Sequence, residues 1–344
     1  MPPTHNAAFR TTRRAALRTS LGAALALPFI RRAHAEVSTV LIAKQFGTLY
    51  LQQGVMEEQR LVEKHGAAVG LPGLQASFLR FAGTGPITEA LLSGSLHFAS
   101  GGAPGALLLW DRTRGTVKSA FAMNATNQRL LTVNPAVRSV RDLTPADRIA
   151  MPAPKVSPQA IFLQMAAAKE WGAAEWSRLD AQTIGRAHPD SMASMLGRTE
   201  ITCHFSTSPF QERELAQPGV REVANSYAIQ GVETSTPNTI YASSSFRTDN
   251  PLAWRATLAA FQEATDWINA NPAAAADLYL ASSGDKDTPA NVLASMGAPG
   301  NRFTLQPSGV VRVANFMADT GVLKRRPEKL EDLFFPEAVE RGGS

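Results

Sequence analysis

The chain has 344 residues and a formal net charge of +5, but this charge is concentrated at one end of the sequence. Six of the arginines precede Glu36 and no acidic residue does, so the rest of the chain carries a net charge of −1. A nearly neutral chain offers no electrostatic basis for binding nucleic acid. The length exceeds what one hydrophobic core usually serves, so we expect two lobes.

Residues 1–35 have the three-part pattern of an export signal. A basic start precedes an uncharged stretch over residues 19–30, and Ala33-His34-Ala35 supplies a cleavage site. Arg13 and Arg14 lie in a segment that resembles the twin-arginine signal, with Ala16 in place of the usual Phe. A general secretory signal is the alternative.

The apolar stretch is shorter than the about 20 residues that span a bilayer, and no cysteine directly follows the signal. We therefore expect a soluble periplasmic protein with no lipid anchor and no membrane insertion after signal removal.

Short apolar runs alternate with segments of helical spacing after Glu36. The strands predicted from these runs cover residues 37–46, 74–82, 96–100 and 201–205. Alternation of strands and helices is typical of sheets whose two faces are covered by helices. The sequence therefore predicts an α/β fold with a mainly parallel sheet in each lobe.

A polar residue followed by proline marks five predicted helix starts. Proline at the first helical position costs no hydrogen bond, and the polar residue before it can cap the free amides. Ser208 with Gln211 also fits a capping box. The five starts are at Ser157, Ser208, Asn250, Asn271 and Thr288. The helix after Asn250 has a core face of Trp254, Leu258, Phe261 and Ile268.

Groups for catalysis or metal binding are few after the signal. The sequence has no nucleophile elbow, HExxH helix, P-loop or dinucleotide fingerprint, and Cys203 is its only cysteine. Cys203 and His204 are neighbours on a predicted strand, so they point to opposite faces and cannot readily share one metal near His188. We therefore predict that the chain is not an enzyme and has no metal or cofactor.

Three glycine-containing turns that follow predicted strands indicate a ligand site. Ligands of open parallel sheets bind at the carboxyl ends of the strands, glycine lets backbone amides approach closely, and helix N-termini favour anions. For each turn alone, ordinary turn chemistry is the alternative. The turns are Gln45-Phe46-Gly47, Gly83-Thr84-Gly85 and Gly101-Gly102.

The strand over residues 201–205 ends beside further hydroxyl groups and an aromatic ring. Side-chain alternation puts Phe205 on one face and Ser206 on the other, and core packing is the alternative for Phe205. The complete set of candidate ligand-binding residues is Gln45, Phe46, Gly47, Gly83, Thr84, Gly85, Gly101, Gly102, Ser157, Gln159, His188, Phe205, Ser206 and Thr207.

The order of these segments resembles one family. The resemblance rests on residues 45–66, on residues 89–99 with His97 in place of the usual Asp, and on residues 140–152 and 188–210. Over nearly all of residues 38–320 the chain is similar to the nitrate/sulfonate/taurine- and thiamine-precursor-binding proteins of bacterial ABC importers.

This resemblance implies a type II periplasmic binding protein fold with a ligand cleft between two lobes. Residues 36–130 plus 235–344 would form one lobe, and residues 131–234 the other. The implied ligand is a small anionic solute such as a sulfonate, taurine or nitrate, and the implied partner is a membrane permease. An enzyme related to thiamine-pyrimidine synthesis and a ligand-presenting sensor are the alternatives; the single cysteine argues against the enzyme.

Conversion of Arg13 and Arg14 to lysine tests the export prediction. If the twin-arginine route is required, the precursor should accumulate in the cytoplasm, which fractionation and immunoblotting would reveal. Unchanged periplasmic yield would show that the general secretory route suffices.

Overall fold

Strands followed by helices recur along residues 36–344, which together with Met1 are the residues that the computed structural model describes. The predicted export signal lies outside the described residues. The strands are β1 (Thr39–Lys44), β2 (Gln75–Arg80), β3 (Ala99–Gly102), β4 (Val117–Ala122), β5 (Asn124–Ala125), β6 (Arg129–Thr132), β7 (Ile149–Met151), β8 (Thr183–Gly185), β9 (Cys203–Ser206), β10 (Arg221–Asn225), β11 (Asn238–Ser243) and β12 (Arg302–Phe303).

The helices differ widely in length. They are α1 (Leu51–Glu58), α2 (Leu61–Ala68), α3 (Thr84–Leu92), α4 (Ala103–Arg112), α5 (Pro158–Trp171), α6 (His188–Leu196), α7 (Phe210–Leu215), α8 (Ser226–Gln230), α9 (Ser244–Asp249), α10 (Pro251–Ala270), α11 (Pro272–Ser283), α12 (Pro289–Met296), α13 (Val310–Asp319), α14 (Leu330–Leu333) and α15 (Pro336–Val339). Within residues 36–344 no helix combines the length and the apolar character that crossing a membrane requires.

The sheets mix parallel and antiparallel pairs, which confirms the α/β class but not the mainly parallel arrangement. One sheet has the order β10-β6-β9-β7-β8, in which β7 is parallel to β8 and β9 while β6 is antiparallel to β9 and β10. Elsewhere β1 is parallel to β2, and β11 lies antiparallel between β3 and β4. Apart from the short β5–β12 pair, each antiparallel pair involves β6 or β11, the first strands after the chain passes from one set of strands to the other.

The strand pairing bears on the predicted lobe boundaries. The five-stranded sheet takes its strands from residues 129–225, whereas the other strands come from residues 39–125 and 238–303. Residues 36–344 form one compact unit by their contacts. The two-lobe division therefore remains a proposal, and the pairing would place its boundaries just before β6 and just before β11.

Four of the five predicted helix starts agree with the structure. Helices α10 and α11 begin at the predicted prolines, and the hydroxyls of Ser157 and Thr288 each accept a backbone N–H at 3.2 Å, capping α5 and α12. The prediction for Ser208 is wrong, because α7 begins only at Phe210. The Ser208 hydroxyl instead donates to Glu212 Oε1 at 2.9 Å, so no capping box forms.

Helix α10 supplies a large part of the hydrophobic core, as its apolar spacing predicts. Trp254, Leu258, Phe261 and Ile268 are all buried, and the helix packs against α1 and α2. The Trp254 ring stacks on Phe98 with centroids 5.1 Å apart. This packing holds β1 and β3 in place, and their ends lead to the candidate site.

Phe261→Ala tests this assignment. Because the ring is fully buried, we expect the free energy of unfolding to fall by about 3–5 kcal/mol in chemical denaturation. Asp266→Ala, on the exposed face of the same helix, should change it by no more than about 0.5 kcal/mol. Equal losses would mean that the two faces are assigned wrongly.

Candidate functional site

Two adjoining cavities lie where several strands end and helices begin, and they share Gln45, Phe46 and Tyr50. The inner cavity has a volume of about 30 Å³ and the outer cavity about 310 Å³. The inner cavity is lined by Gln45, Phe46, Leu49, Tyr50, Ala82, Thr84, Gly102, Gln128, Pro152, Ser157, Pro158, Gln159, His188, Thr207 and Asn238.

Four helices begin at the inner cavity. Helix α3 starts at Thr84, α4 directly after Gly102, α5 at Pro158 and α6 at His188. Each helix start carries the positive end of a helix dipole and backbone N–H groups that the helix itself does not use. Their convergence makes the inner cavity electrostatically favourable for an anion.

The side chains of the inner cavity add hydrogen-bonding groups without formal charge. Amides come from Gln45, Gln128, Gln159 and Asn238, and hydroxyls come from Thr84, Ser157 and Thr207. Among residues 36–344, no Lys, Arg, Asp or Glu lines this cavity. An anion there would be held by dipoles and hydrogen bonds, which avoids the cost of burying an unpaired protein charge.

Close contacts between residues 131–234 and the rest of the chain enclose the inner cavity. A Cβ on Gly102 would lie 2.6 Å from Pro158 Cδ, and one on Gly83 would lie 3.2 Å from the Pro152 carbonyl oxygen. On another side, Thr48 Oγ1 donates to the Ser208 carbonyl at 3.3 Å. The two glycines therefore let the starts of α3 and α4 approach the facing segments.

Arg213 joins α7 to the loop after α11 beside the outer cavity. Its Nη2 lies 2.7 Å from Asp285 Oδ2, and its Nε lies 2.5 Å from Asp287 Oδ2. Burial opposes the Asp287 charge, but hydrogen bonds from Asn291 and Thr288 and the Arg213 guanidinium together hold its pKa below the usual value. These two ion pairs are a further connection between residues 131–234 and the rest of the chain.

The outer cavity combines aromatic surfaces with cations at its wall. Phe46, Tyr50 and Phe210 contribute rings, and the Arg80 guanidinium lies 5.4 Å from the centroid of Phe46. Lys44, which pairs with Glu57, also lines this cavity. The outer cavity can therefore accommodate an organic group that carries polar substituents.

Two buried histidines and a buried glutamate lie behind the inner cavity. His188 Nδ1 is 2.8 Å from His204 Nε2, and His204 Nδ1 is 2.6 Å from Glu214 Oε1. On the cavity side, His188 Nε2 is 3.3 Å from Gln159 Nε2. Burial, together with the neighbouring His204 ring, lowers the pKa of His188 well below its usual value, so this ring is neutral at pH 7.

The structure brings most of the predicted site residues together. Those that line the inner cavity are Gln45, Phe46, Thr84, Gly102, Ser157, Gln159, His188 and Thr207, and Gly47 lines the outer one. Gly83 lies close to the Pro152 backbone, and Gly101 lies close to the side chains of Gln45 and Tyr241. Gly85 has open space around it. Phe205 and Ser206 are fully buried in β9. Phe205 packs in the hydrophobic core near Phe162, which is the packing alternative stated above.

Sequence reasoning missed several residues of the two cavities. Gln128 and Asn238 stand just before β6 and at the start of β11, so the two passages of the chain between the sets of strands were the signal that could have found them. Arg80, at the end of β2, lies one strand-to-helix turn before Thr84. Glu214 has no sequence signal, because only the fold places it against His204.

Gly102→Ala tests the contact between α4 and α5. The added methyl group would lie 2.6 Å from Pro158 Cδ, so we expect the two helix starts to separate and the melting temperature to fall. Small-angle scattering should show a larger radius of gyration than that of the unchanged protein. Gly85→Ala is the matched control, since a Cβ there meets nothing within 4 Å. Identical behaviour of the two variants would contradict the tight approach.

Comparison with known proteins gives fold-level similarity only. No protein-family model matches the sequence, and no curated protein matches it. The alkanesulfonate-binding protein SsuA from Xanthomonas axonopodis pv. citri, bound to MOPS, superposes with a TM-score of 0.68 at 17% identity, over 88% of this chain and 99% of that one. The nitrate-binding protein NrtA from Synechocystis PCC 6803 superposes with a TM-score of 0.67 at 14% identity, over 90% of this chain and 86% of that one. The aliphatic sulphonate-binding protein SsuA from Escherichia coli superposes with a TM-score of 0.63 at 16% identity, over 89% of this chain and 97% of that one.

The resemblance found in the sequence is thus confirmed at the level of the fold, and the chain has the periplasmic binding protein fold that these sulfonate- and nitrate-binding proteins share.

Proposed function

We propose that the protein is the solute-binding component of an ABC-type importer and that it holds a small organic anion between two lobes. The observation that carries this proposal is the convergence of four helix N-termini on one enclosed cavity whose polar side chains are uncharged. Two of these helices belong to residues 36–130 and two to residues 131–234. Such a cavity is complete only when both parts approach each other, so ligand binding would favour closure.

The two cavities together favour an organic anion over an inorganic one. The inner cavity, at about 30 Å³, suits a compact charged group, and the adjoining outer cavity, at about 310 Å³, offers aromatic surfaces for an organic body. Nitrate would leave the outer cavity unused. The MOPS-bound SsuA, which shares this fold, is one protein that binds an organic sulfonate. We therefore place sulfonates, including taurine, before nitrate.

Export and delivery complete the proposal. The signal pattern of residues 1–35 would send the protein to the periplasm, where it would diffuse freely and pass its solute to a membrane permease. The net charge of −1 after that segment gives no reason to expect nucleic acid as a partner.

A thermal-shift screen of nitrate, ethanesulfonate, taurine and MOPS tests this function. A ligand at 100 times its dissociation constant should stabilise the protein by about 2.7 kcal/mol. We expect the organic sulfonates to stabilise more than nitrate does. Failure of every anion in the screen to shift the melting temperature would contradict the proposed function.

Thr84→Leu tests the position of the site with the best sulfonate of that screen. Thr84 packs against Gly105 on one side and lines the inner cavity, so we expect the larger side chain to extend into that cavity. Calorimetric titration should show more than a tenfold loss of affinity, about 1.4 kcal/mol or more. Thr88→Leu, one turn further along α3 and outside both cavities, should bind normally. Wild-type affinity in a folded Thr84→Leu protein would mean that the anion binds elsewhere.

A further inference from the structure

Four buried side chains form a continuous hydrogen-bonded chain from the inner cavity into the protein. We call this set the histidine relay: Gln159, His188, His204 and Glu214. Its contacts measure 3.3 Å between Gln159 and His188, 2.8 Å between the two rings and 2.6 Å between His204 and Glu214. The exposed fraction does not exceed 7% for any of the four, so bulk water does not bridge them. Only its Gln159 and His188 end borders the inner cavity.

The contacts define one consistent direction of donation when both rings are neutral. The Gln159 amide donates to His188 Nε2, His188 Nδ1–H donates to His204 Nε2, and His204 Nδ1–H donates to Glu214. In this state the relay carries the single negative charge of Glu214 and presents an acceptor nitrogen beside the cavity. In this state the His188 ring offers an anion no N–H donor, and the donors come from the helix starts, amides and hydroxyls alone.

Two buried oxygens at the ends of the relay are unsatisfied in this state. Within residues 36–344, neither Gln159 Oε1 nor Glu214 Oε2 has a hydrogen-bond partner. A buried carboxylate that faces only a neutral ring is costly, and a positive charge on that ring would compensate it. A rotated Gln159 amide would likewise turn its oxygen to a protonated His188 Nε2 and its N–H groups toward the cavity.

The other ionisable groups around the relay are engaged elsewhere. On β6 and α6 and beside them, Arg129 pairs with Glu222, Arg186 pairs with Glu200, and Asp190 is exposed. On α7, Arg213 pairs with Asp285 and Asp287, and burial raises the pKa of Glu212, which bonds Ser208 and Gln211. On β9, burial raises the pKa of the Cys203 thiol to about 11. Within residues 36–344, the ion-pair partner that the structure gives Glu214 is His204.

We propose that His204 and Glu214 are positioning residues that couple anion binding to the uptake of one proton, by turning His188 Nε2 from an acceptor into a donor. This inference rests on the proposed function and adds the condition under which the site accepts an anion. The proton comes from solvent and forms an N–H bond at His188 Nε2. The Nδ1–H bond of His188 breaks as its proton moves to His204 Nε2, and His204 becomes an imidazolium beside the Glu214 carboxylate.

This step leaves His188 neutral before and after proton uptake. The lowered pKa of His188 agrees with that, because the added charge lies on His204, where Glu214 compensates it. The relay changes from one negative charge to none, which removes a repulsion from the incoming anion. Lower pH should therefore strengthen anion binding, and higher pH should weaken it.

Calorimetric titration with ethanesulfonate in two cationic buffers of different ionisation enthalpy, such as imidazole and Tris, counts the protons taken up. We expect close to one proton for each anion at pH 8, and affinity that weakens about tenfold with each unit of pH above the titration of the ligand-free relay. Glu214→Gln keeps the shape and the acceptor but cannot compensate an imidazolium. The Glu214→Gln substitution should abolish proton uptake and make the affinity for ethanesulfonate independent of pH. Glu263→Gln, in the separate His65–Glu263 pair, is the matched control and should leave both unchanged.

Ring nitrogen shifts of the full chain labelled with ¹⁵N-histidine test the relay without any ligand or substitution. At high pH, His188 and His204 should both carry their proton on Nδ1. Protonated Nε2 on either ring would overturn the proposal, even if Glu214→Gln fails to fold. Ethanesulfonate binding without proton uptake would overturn the relay and leave the proposed function intact. If no anion of the screen binds, both are overturned.

Discussion

The approach of Gly102 to Pro158 is the constraint on which the candidate site depends. These residues begin or directly precede α4 and α5, and a methyl group on the glycine would already lie 2.6 Å from the proline ring. Any side chain there would separate the two helix starts, and with them the positive dipole ends that face the inner cavity. The same contact explains the small volume of that cavity, because two helix starts in van der Waals contact leave room for only a compact group. A glycine is needed here for space and not for its backbone freedom, since its φ of −55° is open to any residue.

Charge is distributed so that the centre of the site carries none. Lys44, Arg80 and Arg213 all lie at the outer cavity, where Glu57 or the Asp285–Asp287 pair balances two of them. The inner cavity has amides, hydroxyls and helix starts instead. A fixed cation at the centre would have to be buried without a partner whenever the cavity is empty, at a cost of several kcal/mol. Helix dipoles would attract an anion without that cost.

Sequence reasoning predicted the parts of this site that depend on local structure. The turn at Thr84 and the start of α5 at Ser157 could be predicted because glycine and proline determine backbone geometry over a few residues. Ser208 shows the limit, since the same Ser-Pro pattern leads to a helix that begins only at Phe210. Contacts that depend on how one element folds against another were not predictable. His204 meets Glu214 only because α7 folds back against β9, and no spacing in the sequence encodes that approach. The antiparallel pairing of β6 with β9 and β10, and that of β11 with β3 and β4, was missed for the same reason.

Helix α7 connects the two cavities although it is only six residues long. Phe210 at its start stacks against His188 with centroids 5.8 Å apart and lies 5.6 Å from the Arg213 guanidinium, while Glu214 ends the histidine relay. The Arg213–Asp285 ion pair and the His204–Glu214 contact therefore both depend on the position of this helix. Whatever free energy holds α7 in this position serves both, so the equilibrium of one is linked to that of the other. If the relay works as proposed, formation of the Arg213–Asp285 ion pair at the outer cavity would favour the relay geometry, and anion binding with proton uptake at the inner cavity would favour that ion pair. The body of a solute and its charged group, bound in different cavities, would thus stabilise the same closed state.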